Sequence, residues 1–220
     1  MASQHFELDT QHPQAAAIDA AARALADGGL VLLPADTTYC VVSLARAGSG
    51  ASAGIRRIVG FKRRPCGPAF PWLVGAKSDL DVYAVGVSDE ARMLAEAFWP
   101  AGLTIVARAS SAVPHMLMRE DGTVALRMSS APVVSGLLNA LDRPLVATGA
   151  NVHGQPAPLA FADVGQGVLD AVDVALEGDG SCAGRATIVD CTHGEAVILR
   201  DGVVPRELIE ERLGHATPLV

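Results

Sequence analysis

Apolar and polar positions fall in short blocks along this chain, and the period changes from block to block. Pro13 to Asp27 has a proline near its start, an Ala-rich body and Gly28-Gly29 as a stop, which predicts a first helix. Leu30–Leu33 is a continuous apolar run ending at Pro34, the mark of a buried strand, and Tyr39–Leu44 predicts a second extended piece. Gly48–Gly54 reads as a Gly/Ser/Ala loop and Ile55–Phe61 as a short helix. Lys62–Pro71 contains three prolines and a glycine and predicts a loop, followed by a strand at Trp72–Val74. Ser88 is placed to cap a helix running to about Phe98, which Pro100 stops.

The second half repeats the alternation. Leu103–Ala107 and Val124–Leu126 are short β-type runs with a Met-rich loop between them. Pro132–Leu141 predicts a helix and Leu145–Ala147 a buried strand, and Gly149–Pro158 is a polar loop rich in glycine and proline. Val172–Leu176, Thr187–Val189 and Val197–Leu199 complete the strands, and Arg206–Leu213 predicts a last helix before a frayed tail. Several neighbouring strands lack a helix long enough for a parallel crossover. The expected fold is therefore α/β: a single domain over residues 1–220, core about 14–205, with a twisted mixed sheet and flanking helices.

Composition agrees with this picture. Half of the 220 residues are hydrophobic and 19% are charged, enough for a sizeable core, while aromatics make up 4% and small aliphatic side chains dominate. No apolar run approaches the ~20 residues of a membrane span. The N-terminus is polar and acidic rather than basic and apolar, so a cytoplasmic protein with no membrane contact is expected. Cys40, Cys66, Cys182 and Cys191 form no CxxC pair and the histidines have no ligand spacing, so reduced thiols and no metal site are expected.

Charge adds one local feature. The net charge of −7 argues against a broad nucleic-acid-binding surface, yet Arg56, Arg57, Lys62, Arg63 and Arg64 crowd into one short stretch. In an acidic chain such a knot predicts a small anionic ligand, such as the phosphate tail of a nucleotide. Three loops next to strand ends could bring chemistry to it: Pro34–Tyr39, Lys62-Arg63-Arg64-Pro65, and Thr148 to Gly154. Each alone is an ordinary turn. The common nucleotide and hydrolase signatures are absent: no GxxxxGK followed by Ser or Thr, no GxGxxG after a strand, no GxSxG.

The order of the motifs is more specific. The chain carries PADTTYCVV, KRRP, FWPAGLTIV, TVALRM, PLVATGANVHGQPAP, RATIVD and ILRDG in succession. This resembles the YrdC/Sua5 family of threonylcarbamoyl-AMP synthases, whose usual pattern is P-T-D/E-x-V-Y-G-L, K-x-R-P, W-P-G-P-x-T, V-x-x-R-x-P, S-A-N-x-S-G, S-T-I-V-D and a late R-x-G. The likeness runs from about Gly28 to Gly202.

The resemblance implies a twisted mixed α/β sheet around a large concave cavity. It implies a reaction that joins bicarbonate and L-threonine to ATP, with Mg²⁺, giving threonylcarbamoyl-adenylate and pyrophosphate. A downstream tRNA-modifying complex would pass the group to adenosine 37 of tRNAs that read ANN codons. By position, Lys62 and Arg64 would be the catalytic, phosphate-holding pair. Thr148, Asn151 and Arg200 would join them in binding ATP. Thr37, Tyr39, Thr123, Arg127 and Thr187 would face the amino acid, with Arg127 on its carboxylate.

The chain also departs from the pattern. Ala35, Gly149, His153 and Ala186 stand where the family has hydroxyl residues or their equivalents, Cys40 replaces a glycine, and Ser129 replaces the proline of R-x-P. Two alternatives follow: a divergent paralogue using another amino acid as carbamate acceptor, or a nucleotide-binding protein without catalysis. Weak tRNA or double-stranded RNA contact through the basic stretch is a further one.

Overall fold

The computed structural model describes residues 4–45, 53–62, 70–151, 154–178 and 182–219. Among these residues ten strands form one mixed sheet: β1 (Gln4–Glu7), β2 (Val31–Pro34), β3 (Tyr39–Leu44), β4 (Trp72–Leu73), β5 (Leu103–Arg108), β6 (Thr123–Arg127), β7 (Leu145–Gly149), β8 (Val174–Glu177), β9 (Thr187–Asp190) and β10 (Val197–Arg200). Their order is β1-β8-β2-β3-β7-β4-β6-β5-β9-β10. The β1/β8, β2/β8, β4/β6 and β5/β9 pairs are parallel and the remainder antiparallel, as the scarcity of crossover helices predicts.

Among the described residues seven α-helices accompany the sheet: α1 (Ala15–Ala26), α2 (Ala53–Lys62), α3 (Asp79–Tyr83), α4 (Asp89–Phe98), α5 (Pro132–Leu141), α6 (Gln166–Leu169) and α7 (Arg206–Leu213). The Ser88 hydroxyl accepts the Ala91 N–H at 3.2 Å and caps α4 as its position foretells. Pro132 opens α5, where its fixed φ and missing N–H cost nothing.

Alternation along each strand sends side chains to two faces. Leu32, Tyr39, Val41, Trp72, Ile105, Leu126, Val189 and Ile198 point to one apolar cluster, which α2, α4 and α7 cover through Ile58, Leu94 and Ile209. On the opposite face, Val31, Leu33, Val42, Leu44, Leu145 and Val174 pack under α1 and α5 through Leu25, Val134 and Leu137. That second cover ends near β4. Beyond it, the second-face residues of β6, β5 and β9 line a cavity instead of a core.

Both ends of the chain reach past the expected core. β1 adds a parallel edge strand beside β8, a role its mostly exposed residues did not signal. The C-terminal tail is docked rather than frayed: Ile198 N–H donates to Pro218 O at 2.8 Å, and Thr217 is fully buried. Among the described residues no helix is long and apolar enough to cross a membrane.

Gly202 holds the last turn of the sheet against its neighbour. A Cβ there would lie 2.3 Å from Arg185 O, 2.4 Å from Ala186 C and 2.5 Å from Thr187 N, all backbone atoms that cannot swing away. Gly202→Ala is expected to cost about 1–3 kcal/mol, seen as a lower urea midpoint with an unchanged slope.

Candidate functional site

The cavity, about 910 Å³, lies over the uncovered half of the sheet. Register builds its floor. Arg127 on β6 sits opposite Thr104 on β5, Thr104 opposite Ile188 on β9, and Ile188 opposite Arg200 on β10. Arg200 reaches this face through an irregularity. Ile198 pairs with Val189 but Arg200 pairs with Ile188, so one residue is extra on β10. Without that bulge Arg200 would share the core face with Ile198; the bulge turns it into the cavity. The opposing wall is Lys62 at the end of α2, Thr148 near the end of β7, Asn151 just beyond it, and the loop from Gly154 to Leu159.

Five basic residues line the space: Lys62, Arg119, Arg127, Arg185 and Arg200. The described lining includes no Asp or Glu. Lys62 Nζ donates to Asn151 O at 2.6 Å and to Asn151 Oδ1 at 2.8 Å, while Asn151 Nδ2 donates to Gln155 O at 2.5 Å. Arg200 donates from Nε and Nη2 to Ala186 O at 3.0 and 2.9 Å. Burial, then the charges of Arg185 and Arg127, hold Arg200 below the usual arginine value. Like charges are thus gathered where a bound anion would relieve them.

Arg127 is set differently. Its Nη1 donates to Thr37 Oγ1 at 2.7 Å, and its Nη2 pairs with Asp36 Oδ1. The Ser129 hydroxyl donates to the same Asp36 oxygen, and Ser130 Oγ donates to Oδ2 at 3.3 Å. Arg127 Nε is buried with no hydrogen-bond partner.

Of the residues expected from sequence, Thr37, Lys62, Arg127, Thr148, Asn151 and Arg200 come together on the cavity wall. Tyr39, Thr123 and Thr187 do not. Tyr39 is on the core face, with its hydroxyl donating to Gly178 O at 2.6 Å and accepting Gly178 N–H at 2.9 Å. Its main chain also anchors the cavity loop, through Tyr39 N–H to Pro158 O and Ala150 N–H to Tyr39 O, both 2.9 Å. Thr123 has the right strand parity but sits at the far end of β6, donating to Asp121. Thr187 is fully buried and bridges the Val204 C=O and N–H. Arg64 and His153 lie outside the described residues.

The basic stretch does not act as one unit. Lys62 enters the cavity, whereas Arg57 ties α2 to Asp173 Oδ2 at 2.5 Å and to Ala171 O at 2.9 Å. Arg119 and Arg185 escaped sequence reasoning because each stands alone in its stretch and only the folded register gathers them. Ala35 is fully buried in the cluster under α1 and α5, so its missing hydroxyl is not a missing pocket group. Gly149 and Ala186 do line the cavity. A Cβ at Gly149 would lie 2.7 Å from Asn151 Oδ1, so the glycine leaves room for the oxygen that meets Lys62. Cys40 lines the wall too, but burial pushes its thiol up, which keeps it from acting as a nucleophile at neutral pH. Among the described residues no three His, Cys, Asp or Glu are grouped to hold a metal ion.

Fold and cavity define an α/β protein with a concave cavity lined by basic side chains. The chain belongs to the Sua5–YciO–YrdC family, described as "Telomere recombination", which matches residues 23–202. It is 32% identical over 200 residues to the threonylcarbamoyl-AMP synthase of Pyrococcus abyssi, a match covering 89% of this chain and 56% of that protein. The crystal structure of P. abyssi Sua5 complexed with L-threonine superposes with a TM-score of 0.89 at 28% identity, over 100% of this chain and 63% of that one. E. coli YciO gives a TM-score of 0.81 at 25% identity, over 91% of this chain and 96% of YciO. The chain therefore spans less than two thirds of the P. abyssi protein but nearly all of YciO.

Since Tyr39 works from the core side, Tyr39→Phe should strand the buried Gly178 groups. The expected loss is about 1–3 kcal/mol of stability by denaturant titration.

Proposed function

We propose that the chain makes threonylcarbamoyl-adenylate from L-threonine, bicarbonate and ATP, releasing pyrophosphate, for use by a tRNA-modifying complex. The observation that carries this reading is a cavity lined by five cations and no described carboxylate in a chain of net charge −7. The names of the relatives and the L-threonine held by P. abyssi Sua5 support it.

The chemistry needs positioning more than a covalent nucleophile. The free amine of the amino acid adds to the bicarbonate carbon and water leaves, giving a carbamate. A carbamate oxygen then forms a bond to the α-phosphorus of ATP, the bond from that phosphorus to the bridging oxygen breaks, and pyrophosphate departs with the electron pair. Lys62, Arg185 and Arg200 hold phosphate oxygens and offset the charge on the leaving group. Arg64 joins them on the strength of its motif. Asn151 holds Lys62 in place, and Thr37 with Arg127 meets the amino acid. Mg²⁺ would come with the phosphates of ATP and would offset their charge, beside Lys62, Arg185 and Arg200.

A second reading concerns the acceptor. Gly149 and Ala186 line the cavity without the hydroxyls usual in the family, which favours an amino acid other than threonine.

Pyrophosphate release from ATP, Mg²⁺ and bicarbonate with each of the common amino acids tests both readings. Lys62→Ala and Arg200→Ala should each lower kcat/KM by about 100-fold or more while the melting temperature stays close to the parent's. Nucleotide binding by calorimetry with no pyrophosphate from any amino acid would leave a binding protein without catalysis. Steeply salt-dependent RNA affinity in place of turnover would leave an RNA-binding module.

A further inference from the structure

The cavity's cations are not equivalent. Among the described residues no carboxylate pairs with Arg185 or Arg200, whereas Arg127 is neutralised by the Asp36 carboxylate. The Asp36–Arg127 pair is buried, with side chains 11% and 5% exposed, so solvent does little to screen it. Ser129 and Ser130 donate to the two Asp36 oxygens, one each. The turn that carries Asp36 is fixed as well: Ala183 N–H donates to Asp36 O at 3.3 Å and Gly184 N–H to Thr37 O at 2.8 Å. Ser129 stands where the pattern read from the sequence has a proline, which would have no hydroxyl to give.

A guanidinium takes phosphate and carboxylate with similar geometry, so shape alone cannot keep a phosphate off Arg127. Net charge can. A neutral pair still presents its remaining guanidinium N–H donors to a singly charged carboxylate. To a multiply charged phosphate the Asp36 carboxylate is a nearby like charge, a cost built against the wrong ligand.

We propose that Asp36, locked by Ser129, is a specificity-determining residue that sorts the two anionic substrates: it reserves Arg127 for the carboxylate of the amino acid and leaves polyphosphate to Lys62, Arg185 and Arg200. The proposal rests on the adenylation reading above. It makes Asp36 a positioning residue that acts through Arg127.

The test is calorimetric titration of the full chain with inorganic pyrophosphate, for the parent, Asp36→Asn and Ser129→Ala, alongside inhibition kinetics against L-threonine. Asp36→Asn keeps the shape and one acceptor oxygen but removes the charge. It should bind pyrophosphate roughly tenfold or more tighter, and pyrophosphate should become competitive with the amino acid. Ser129→Ala, a milder change, should shift both readouts the same way by a smaller factor. A merely structural Asp36 would lower the melting temperature without tightening pyrophosphate. Unchanged or weaker pyrophosphate binding in a folded variant overturns the sorting role, and so does a failure of parent and variants alike to bind it. If Asp36→Asn does not fold, Ser129→Ala decides. The titration needs no turnover, so a parent that releases no pyrophosphate from any amino acid counts against the adenylation reading and leaves the sorting test standing.

Discussion

One constraint governs this molecule: a ten-stranded twisted sheet has two apolar faces, and its helices finish covering only one of them. α1 and α5 close the second face over β8, β2, β3 and β7. Over β6, β5 and β9 the same strand parity that would feed a core feeds a cavity. Strand alternation does the rest, since every second residue of those strands must face the open space. Small and aliphatic residues there (Ala125, Val106, Ile188) keep the floor smooth, and the strand ends place arginines at its rim. Site and core are two uses of one periodicity.

That is why so much of the fold was legible in the sequence. The strand pieces Leu30–Leu33, Tyr39–Leu44 and Leu103–Ala107 are apolar, β-rich and bounded by turn residues, and α5 begins at the proline that marks it. β1 was not legible because an edge strand with exposed polar residues has no apolar period to show. The tail past Leu213 was misread for a related reason. Its docking depends on the buried Thr217 and on main-chain bonds to β10, and neither leaves a hydrophobic signature.

The cavity was legible only where its lining coincides with a motif. Lys62, Arg127, Asn151 and Arg200 could be placed from their motifs. Which face a motif residue takes was harder to foresee. Tyr39 is a strand neighbour of Cys40, yet the one-residue difference sends its ring to the core while the thiol meets the cavity. Arg200 would have been assigned to the core face by parity, and only the bulge on β10 reverses that. Local charge counting failed in a complementary way. It grouped Arg57 with Lys62, although the Asp173 carboxylate holds Arg57 on a structural errand. It passed over Arg119 and Arg185, which lie far apart in sequence. Charge density along a chain and charge density around a cavity are different quantities.

The electrostatics of the cavity carry a structural cost that narrows what it can be for. Burial and two neighbouring arginines depress Arg200, so the folded protein holds cations in proximity that an unfolded chain would disperse. Nothing in the packing of β9 and β10 requires this, since Ala186 O would be satisfied by a neutral donor. At Arg127 the chain does the opposite and spends a buried carboxylate, two serines and a threonine on a single guanidinium. A site meant only to attract anions would leave all its cations bare, and a site meant only for stability would pair them all. The mixture, Arg200 without a carboxylate partner among the described residues and Arg127 neutralised within one cavity, is the arrangement that the proposed sorting of two anions of different charge calls for.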